Sequence, residues 1–212
     1  MNKNKASKQI ADLTKMALLS AIIVLLAFTP LGYIPLGVVN ATTIHIPVIL
    51  GSILLGPKRG AVLGGVFGLT SLSQATITPI VTNFVFTPFY SVGEVHGNFW
   101  SLVVCFVPRI LTGVVPYLVY SALKKVLKKD GVAVAAAAFA GSMTNTLLVM
   151  NFIYLFFGRP YAEAVSIVFD ALYAAIIGVI LANGIPEAIL ACLIVVLVYR
   201  ALKAAFSRTA SY

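Results

Sequence analysis

The longest apolar segment of the chain, residues 162–207, reads AEAVSIVFDALYAAIIGVILANGIPEAILACLIVVLVYRALKAAFS. As a helix rising about 1.5 Å per residue, it exceeds the roughly 20 residues that cross about 30 Å of hydrocarbon. It therefore predicts either two membrane spans, or a helix in an outer loop followed by one span. The choice between them decides whether the chain crosses the membrane seven times or six.

The composition predicts that most of the chain lies in lipid. Of its 212 residues, 60% are hydrophobic and only 10% are charged, whereas a soluble domain carries roughly a quarter charged residues. Further apolar segments precede the last one, at residues 13–29, 43–57, 61–76, 101–123 and 132–157. We therefore predict an all-α membrane protein in which residues 1–212 form a single integral membrane domain. Residues 1–12 form a short basic N-terminus.

The positions of the cations favour six spans with both termini in the cytoplasm. Lys and Arg collect on cytoplasmic loops of membrane proteins, and six spans place all but two of the fifteen cations there. Seven spans would move Arg200, Lys203 and Arg208 outside. The two exceptions are Arg109 and Arg159. Because the cations cluster between apolar segments, they indicate membrane topology and not a nucleic-acid partner.

Two long segments between apolar runs, residues 30–42 and 77–100, are rich in Pro, Gly, Asn and aromatic residues. Long loops of this kind are typical of lids and binding loops, so we predict outer loops that cover a ligand pocket. Tyr90, Trp100 and Tyr154 lie near the predicted outer boundary. They either belong to an interfacial aromatic belt or cover a ligand.

Glycines recur at a spacing of four in the third apolar segment, at Gly60, Gly64 and Gly68. Small residues at this spacing allow helix backbones to approach closely in lipid. We predict a close helix contact along this face.

Five polar side chains are predicted to share one depth between the outer surface and the midplane. They are Arg109, Asn145, Asn151, Asn183 and Glu187, and the helical rise places them about 9–18 Å deep. Charges and amides at such depth are costly and indicate a functional site, so we predict that these residues bind substrate. In the alternative reading, Arg109 and Glu187 pair with each other and the amides bond neighbouring backbone.

The segment around Pro186 is expected to line a cavity entered from outside. Asn183 and Glu187 are four residues apart and share a helix face. Pro186 has no N–H to donate to the carbonyl of residue 182, and irregular backbone at this depth is tolerated only beside a cavity.

The sequence offers no catalytic or metal-binding constellation, so we predict neither an enzyme nor a bound cofactor. His45 and His96 are far apart in the sequence, and HExxH, Walker A and GxSxG motifs are absent. Cys105 and Cys192 lie in apolar runs without metal-ligand spacing.

Four stretches of the chain resemble the substrate-binding (S) component of energy-coupling factor (ECF) vitamin transporters. They are IPLGVVNATTIHIPVILGSILLGPKRGAVLGGVFGLTSL (34–72), FVPRILTGVVPYLVY (106–120), GSMTNTLLVM (141–150) and NGIPEAI (183–189). The resemblance implies a six-helix subunit of the cell membrane that binds a vitamin tightly in a pocket walled by helices four to six. It also implies two ATP-binding subunits and one transmembrane coupling subunit as partners. The chain is most similar to the pantothenate type; riboflavin or a pyrimidine- or pyridoxine-like compound are the alternative ligands.

The resemblance further implies that an Ala-x-x-x-Ala patch on the first helix docks on the coupling subunit. Here KMALLSAI supplies Ala17 and Ala21, whose spacing permits close helix packing. A more distant alternative is a stand-alone secondary carrier, proton-coupled through Glu187. The lack of an internal repeat disfavours it.

Overall fold

A computed structural model of the chain describes residues 3–35, 40–78, 80–93, 95–127 and 129–209. The first two residues of the basic N-terminus, and residues 36–39, 79 and 94 of the predicted outer loops, lie outside this description. The predicted all-α class is confirmed. In the described residues the α-helices are α1 (Lys3–Ala27), α2 (His45–Leu55), α3 (Pro57–Ile77), α4 (Phe99–Thr112), α5 (Val115–Val126), α6 (Asp130–Ala164), α7 (Phe169–Val179) and α8 (Ile185–Thr209).

Short strands form two antiparallel hairpins outside the helices. β1 (Tyr33–Pro35) pairs with β2 (Asn40–Thr42), and β3 (Ser91–Val92) pairs with β4 (Val95–His96). Both hairpins fall within the segments that the sequence predicts as outer loops.

Within the described part of the chain, five helical runs are long and apolar enough to cross a membrane. They are Gln9–Ala27, Pro57–Ile77, Phe99–Val126, Asp130–Ala164 and Phe169–Ala205. The remaining predicted span, the second along the chain, corresponds to α2, which has only 11 residues and is about 16 Å long. Nine of these residues are buried, and α2 packs against α1, α3, α5, α6 and α8. It is therefore a short helix in the centre of the bundle.

The last apolar segment forms one continuous helical run instead of a loop helix followed by a span. α7 passes into α8 through five residues of π-helix, Ile180–Gly184, in which the N–H of Ile185 donates to the carbonyl of Ile180. The prediction of a separate outer-loop helix was wrong, and so was the predicted break at Pro186. The π-turn accommodates the donor that proline lacks without interrupting the helix.

The predicted close contact along the glycine face is confirmed between α3 and α4. A Cβ atom on Gly64 would overlap the carbonyl oxygen of Arg109, and one on Gly60 would overlap that of Gly113. The Sγ of Cys105 donates to the carbonyl of Gly68 at 3.4 Å. The two helix backbones can approach this closely only because α3 carries no side chain at these positions.

Charged side chains meet at one end of the bundle. Asp130 pairs with Lys124 at 2.6 Å and with Lys203, while Arg59 pairs with Asp12 at 2.8 Å. We call this the basic end and the opposite end, which carries β1–β4, the hairpin end. α2 and α8 run from the hairpin end to the basic end, and α6 runs the opposite way.

Candidate ligand-binding site

A cavity of about 570 Å³ lies near the hairpin end, between α3, α4, α6 and the segment that follows α3. This volume is within the range of about 300–1,000 Å³ that is usual for small-molecule sites. The residues that line it are Thr42, Phe67, Ser71, Gln74, Ala75, Thr78, Ile80, Asn83, Phe86, Arg109 and Asn145. Two of the five predicted site residues, Arg109 and Asn145, are among them.

Arg109 supplies the positive charge of the cavity and is only 8% exposed. Its guanidinium carbon lies 5.5 Å from the ring centre of Phe67 and 5.1 Å from that of Phe86. Cation–π attraction to the two rings confines the guanidinium. Because the rings also exclude water, the charge attracts an anion more strongly than it would in solvent.

The local sequence explains how the guanidinium is oriented. Pro108 has no N–H, so it leaves the carbonyl of Val104 without its usual helical donor. Nη1 of Arg109 donates to this carbonyl at 2.9 Å. Gly64 allows the backbone of Arg109 to lie directly against α3, one turn from Phe67.

The segment after α3 is fixed by buried contacts and forms a firm wall. Phe84 and Val85 are fully buried, and Ser101 donates to the carbonyl of Phe84 at 2.7 Å. Nδ2 of Asn83 donates to the carbonyl of Ala75 at 3.0 Å. These bonds hold the neighbouring Phe86 ring over the guanidinium.

Asn145 presents its amide to the cavity from α6. Its Oδ1 atom is buried and has no hydrogen-bond partner among the described residues. Since a buried acceptor without a partner costs about 1–3 kcal/mol, this amide is suited to a polar partner that the chain itself does not supply.

Glu187 is placed beside the cavity and not in its lining. It is 9% exposed, and its Oε1 accepts the backbone N–H of Thr42 at 2.9 Å, which ties β2 to α8. The described ion pairs do not join Arg109 to Glu187, so the alternative in which these residues bridge each other is not formed. Asn183 lies in the π-turn and does not line the cavity.

The remaining predicted site residues lie away from the cavity. Asn151 donates to the carbonyl of Leu147 in its own helix at 2.7 Å. Trp100 stacks on another aromatic ring at 4.2 Å, Tyr154 packs against rings of α7, and Tyr90 packs on the buried cluster around Phe84. Asn151 and Tyr154 both contact Tyr173 of α7, but none of the four side chains lines the cavity.

The cavity walls differ from the helices four to six that the resemblance implies. α3 contributes several lining residues, and the α7–α8 run contributes none. Sequence reasoning missed Phe67, Gln74 and Asn83. Gln74 sits within an apolar segment, so the rule that detected the other intramembrane amides could have found it. Aromatic residues in an apolar helix give no such signal.

Comparisons with known proteins agree with these features. A family model described as "ECF transporter, substrate-specific component" matches residues 11–199. "Pantothenic acid transporter PanT" of Lactococcus lactis subsp. cremoris is 39% identical over 209 residues, which is 97% of this chain and 98% of that protein. "Pantothenate transporter PanT" of Leuconostoc mesenteroides subsp. mesenteroides is 32% identical over 183 residues, 82% of this chain and 83% of that protein. The family match includes every residue that lines the cavity.

Proposed function

We propose that the cavity of this chain binds pantothenate for import. The premise is that the chain belongs to the family of ECF transporter substrate-specific components. The chain is a multi-pass protein of the cell membrane and a transport subunit, not an enzyme. Both relatives carry pantothenate in their names, which favours this vitamin over other water-soluble ones.

The observation that carries the proposal is the buried guanidinium of Arg109. Pantothenate has a carboxylate at one end, a central amide and two hydroxyls at the other end. A carboxylate in the cavity would form charge-assisted hydrogen bonds with Arg109, which is only 8% exposed and lies between the rings of Phe67 and Phe86. Riboflavin and pyridoxine, the alternatives considered from the sequence, have no carboxylate to use this group.

We assign different roles to the polar residues near the cavity. Arg109 and Asn145 contact the ligand directly. Glu187 acts through its bond to Thr42, which fixes the hairpin beside the cavity. Asn183 and Asn151 do not line the cavity, and we assign them no contact with the ligand.

Six segments would then cross the membrane: α1, α2, α3, α4–α5, α6 and α7–α8. The positive-inside rule places the basic end, with Lys124 and Lys203, in the cytoplasm. Both termini are then cytoplasmic, and the hairpin end and its cavity face outward. The two hairpins correspond to the predicted outer loops.

We also propose that α1 docks on a transmembrane coupling subunit, while two ATP-binding subunits supply the energy. Ala17 and Ala21 are exposed on α1, so a partner helix could pack closely against them. A stand-alone carrier would need a titrating group such as Glu187, and here that carboxylate anchors backbone.

The experiment is an equilibrium binding assay on the purified chain in detergent without ATP. Labelled pantothenate should bind and be displaced by unlabelled pantothenate, but not by riboflavin or pyridoxine. Uptake into proteoliposomes should require the coupling subunit, the ATP-binding subunits and ATP. Displacement by riboflavin, or uptake by the chain alone, would contradict the proposal.

A further inference from the structure

One face of α3 carries a row of side chains along the cavity. Phe67, Ser71, Gln74 and Thr78 all line the cavity, and their spacing of four, three and four residues places them on a single helix face. Phe67 packs on the guanidinium of Arg109, and α3 runs from there to the hairpin end. A ligand that is held at Arg109 by its carboxylate therefore extends past Ser71 and Gln74.

Two hydrogen bonds fix the side-chain amide of Gln74. Its Nε2 donates to the carbonyl of Ala27 at the end of α1, and its Oε1 accepts the hydroxyl of Thr78 at 3.1 Å. Because a carbonyl can only accept, the bond to Ala27 determines which end of the amide is the nitrogen. Thr78 lines the cavity and Ala27 does not, so the Oε1 end is the one turned towards the cavity. Oε1 keeps a second lone pair for another donor.

The distance from Arg109 identifies the ligand group that reaches Gln74. In pantothenate two methylenes separate the carboxylate from the amide nitrogen, which is about 4–5 Å with ordinary bond lengths, and a charge-assisted hydrogen bond to the guanidinium adds about 2.7–2.9 Å. Gln74 lies seven residues beyond Phe67, about 10.5 Å along the helix axis. Its side chain leans back towards the start of α3. The amide of the ligand therefore comes level with Oε1 of Gln74.

The walls of the cavity also suit an amide. A trans amide directs its N–H and its carbonyl in opposite directions. α4 packs against both α3 and α6, so α3 and α6 form walls on either side of it. When the N–H of the ligand points to Gln74 on α3, its carbonyl points to the wall of α6, from which Asn145 lines the cavity.

We propose that Gln74 is a specificity-determining residue whose Oε1 accepts the amide N–H of the ligand. This inference rests on the proposed function and deepens it, because it names the amide as a second recognised group and α3 as the helix that recognises it. A site built to bond an N–H rejects an analogue that lacks it, since the polar group of the site then stays unpaired.

The test compares pantothenate with its ester analogue, in which an oxygen atom replaces the amide nitrogen. Both ligands carry the carboxylate, the carbonyl and the two hydroxyls, and only pantothenate has the N–H. The unaltered chain should prefer pantothenate. Gln74→Met, which keeps the length of the side chain without its amide, should lower the ratio of the two affinities by about 5- to 100-fold. Loss of the bond to Ala27 by itself weakens both ligands alike and leaves this ratio unchanged.

Ser73→Ala is the matched control. Its hydroxyl donates to the carbonyl of Leu69 in the same helix at 2.9 Å, and Ser73 does not line the cavity, so both affinities should stay as they are. An unchanged ratio in Gln74→Met, or equal affinities of the unaltered chain for the two ligands, would overturn the inference. If Gln74→Met does not fold, the same ratio decides in Gln74→Asn, whose shorter side chain withdraws the acceptor. Failure of the unaltered chain to bind pantothenate would instead refute the proposed function.

Discussion

Replacing Gly64 with alanine should weaken ligand binding by moving the backbone of Arg109. A Cβ atom at this position would overlap the carbonyl oxygen of Arg109 and lie 2.8 Å from Cα of Ile110. Ordinary contacts begin at 3.4 Å, so the overlap with the carbonyl oxygen requires α3 and α4 to separate by about 1 Å or more. Both nearest groups are backbone, so no side-chain rotation can relieve the overlap.

The expected magnitude follows from two opposing effects. Overpacking of this kind costs about 1–3 kcal/mol, while alanine improves helix propensity over glycine by about 1 kcal/mol. We expect a net loss of up to about 2 kcal/mol in the free energy of unfolding. Pantothenate affinity should fall about tenfold, since a misplaced hydrogen bond to the ligand loses roughly 1.4 kcal/mol.

Gly65 provides a matched control one position along α3. A Cβ atom there would have no heavy atom of another element of the described chain within 4 Å. Gly65→Ala should therefore leave binding unchanged and stabilise the protein by about 0.5–1 kcal/mol. Isothermal titration with pantothenate and thermal unfolding in detergent measure both quantities. If the two variants bind alike, the contact between α3 and α4 does not position Arg109.

Three further changes have outcomes that the structure predicts. Asn145→Ala should weaken pantothenate binding by about 1–3 kcal/mol, whereas Asn151→Ala, which removes a bond within its own helix, should bind like the unaltered chain in the same titration. Ala17→Leu should reduce ATP-driven uptake by the full complex but not binding in detergent, while Ala11→Leu, exposed on another face of α1, should reduce neither; a parallel loss of binding and uptake would indicate a misfolded α1. Glu187→Leu should lower stability by about 1–3 kcal/mol, because the backbone N–H that it accepts loses its partner, and unchanged thermal unfolding would show that this bond does not hold the hairpin.

The sequence predicted the helical segments well because lipid imposes one strong requirement on length and polarity. It did not predict that α2 is buried in the centre of the bundle, since the apolar residues around Ile49 look alike whether they face lipid or protein. The continuity of α7 and α8 was also missed. Proline marks a lost hydrogen bond, but whether the helix breaks or takes up a π-turn depends on its neighbours, here the packing of Gly184 on Thr146.

Only part of the site was predicted from the sequence. The reason is that a residue on a helix has two coordinates, its depth and the face on which it lies, and the prediction used depth alone. Asn145 and Asn151 share a depth band, yet six residues at about 100° each place them on different faces, so one cavity cannot readily receive both. Arg109 and Glu187 likewise share a band but face different partners, Val104 and Thr42. Which face meets which helix depends on close contacts between distant segments, and a single sequence gives little information about those.

The central claim is that Arg109 binds the carboxylate of pantothenate. The most direct test measures the dissociation constants of pantothenate and of pantothenol, in which an alcohol replaces the carboxylate, for the unaltered chain and for Arg109→Gln. We predict that Arg109→Gln loses about 2–5 kcal/mol of binding free energy for pantothenate and almost none for pantothenol, so the two ligands become nearly equivalent. Equal losses for both ligands, or an unchanged affinity for pantothenate, would contradict the claim.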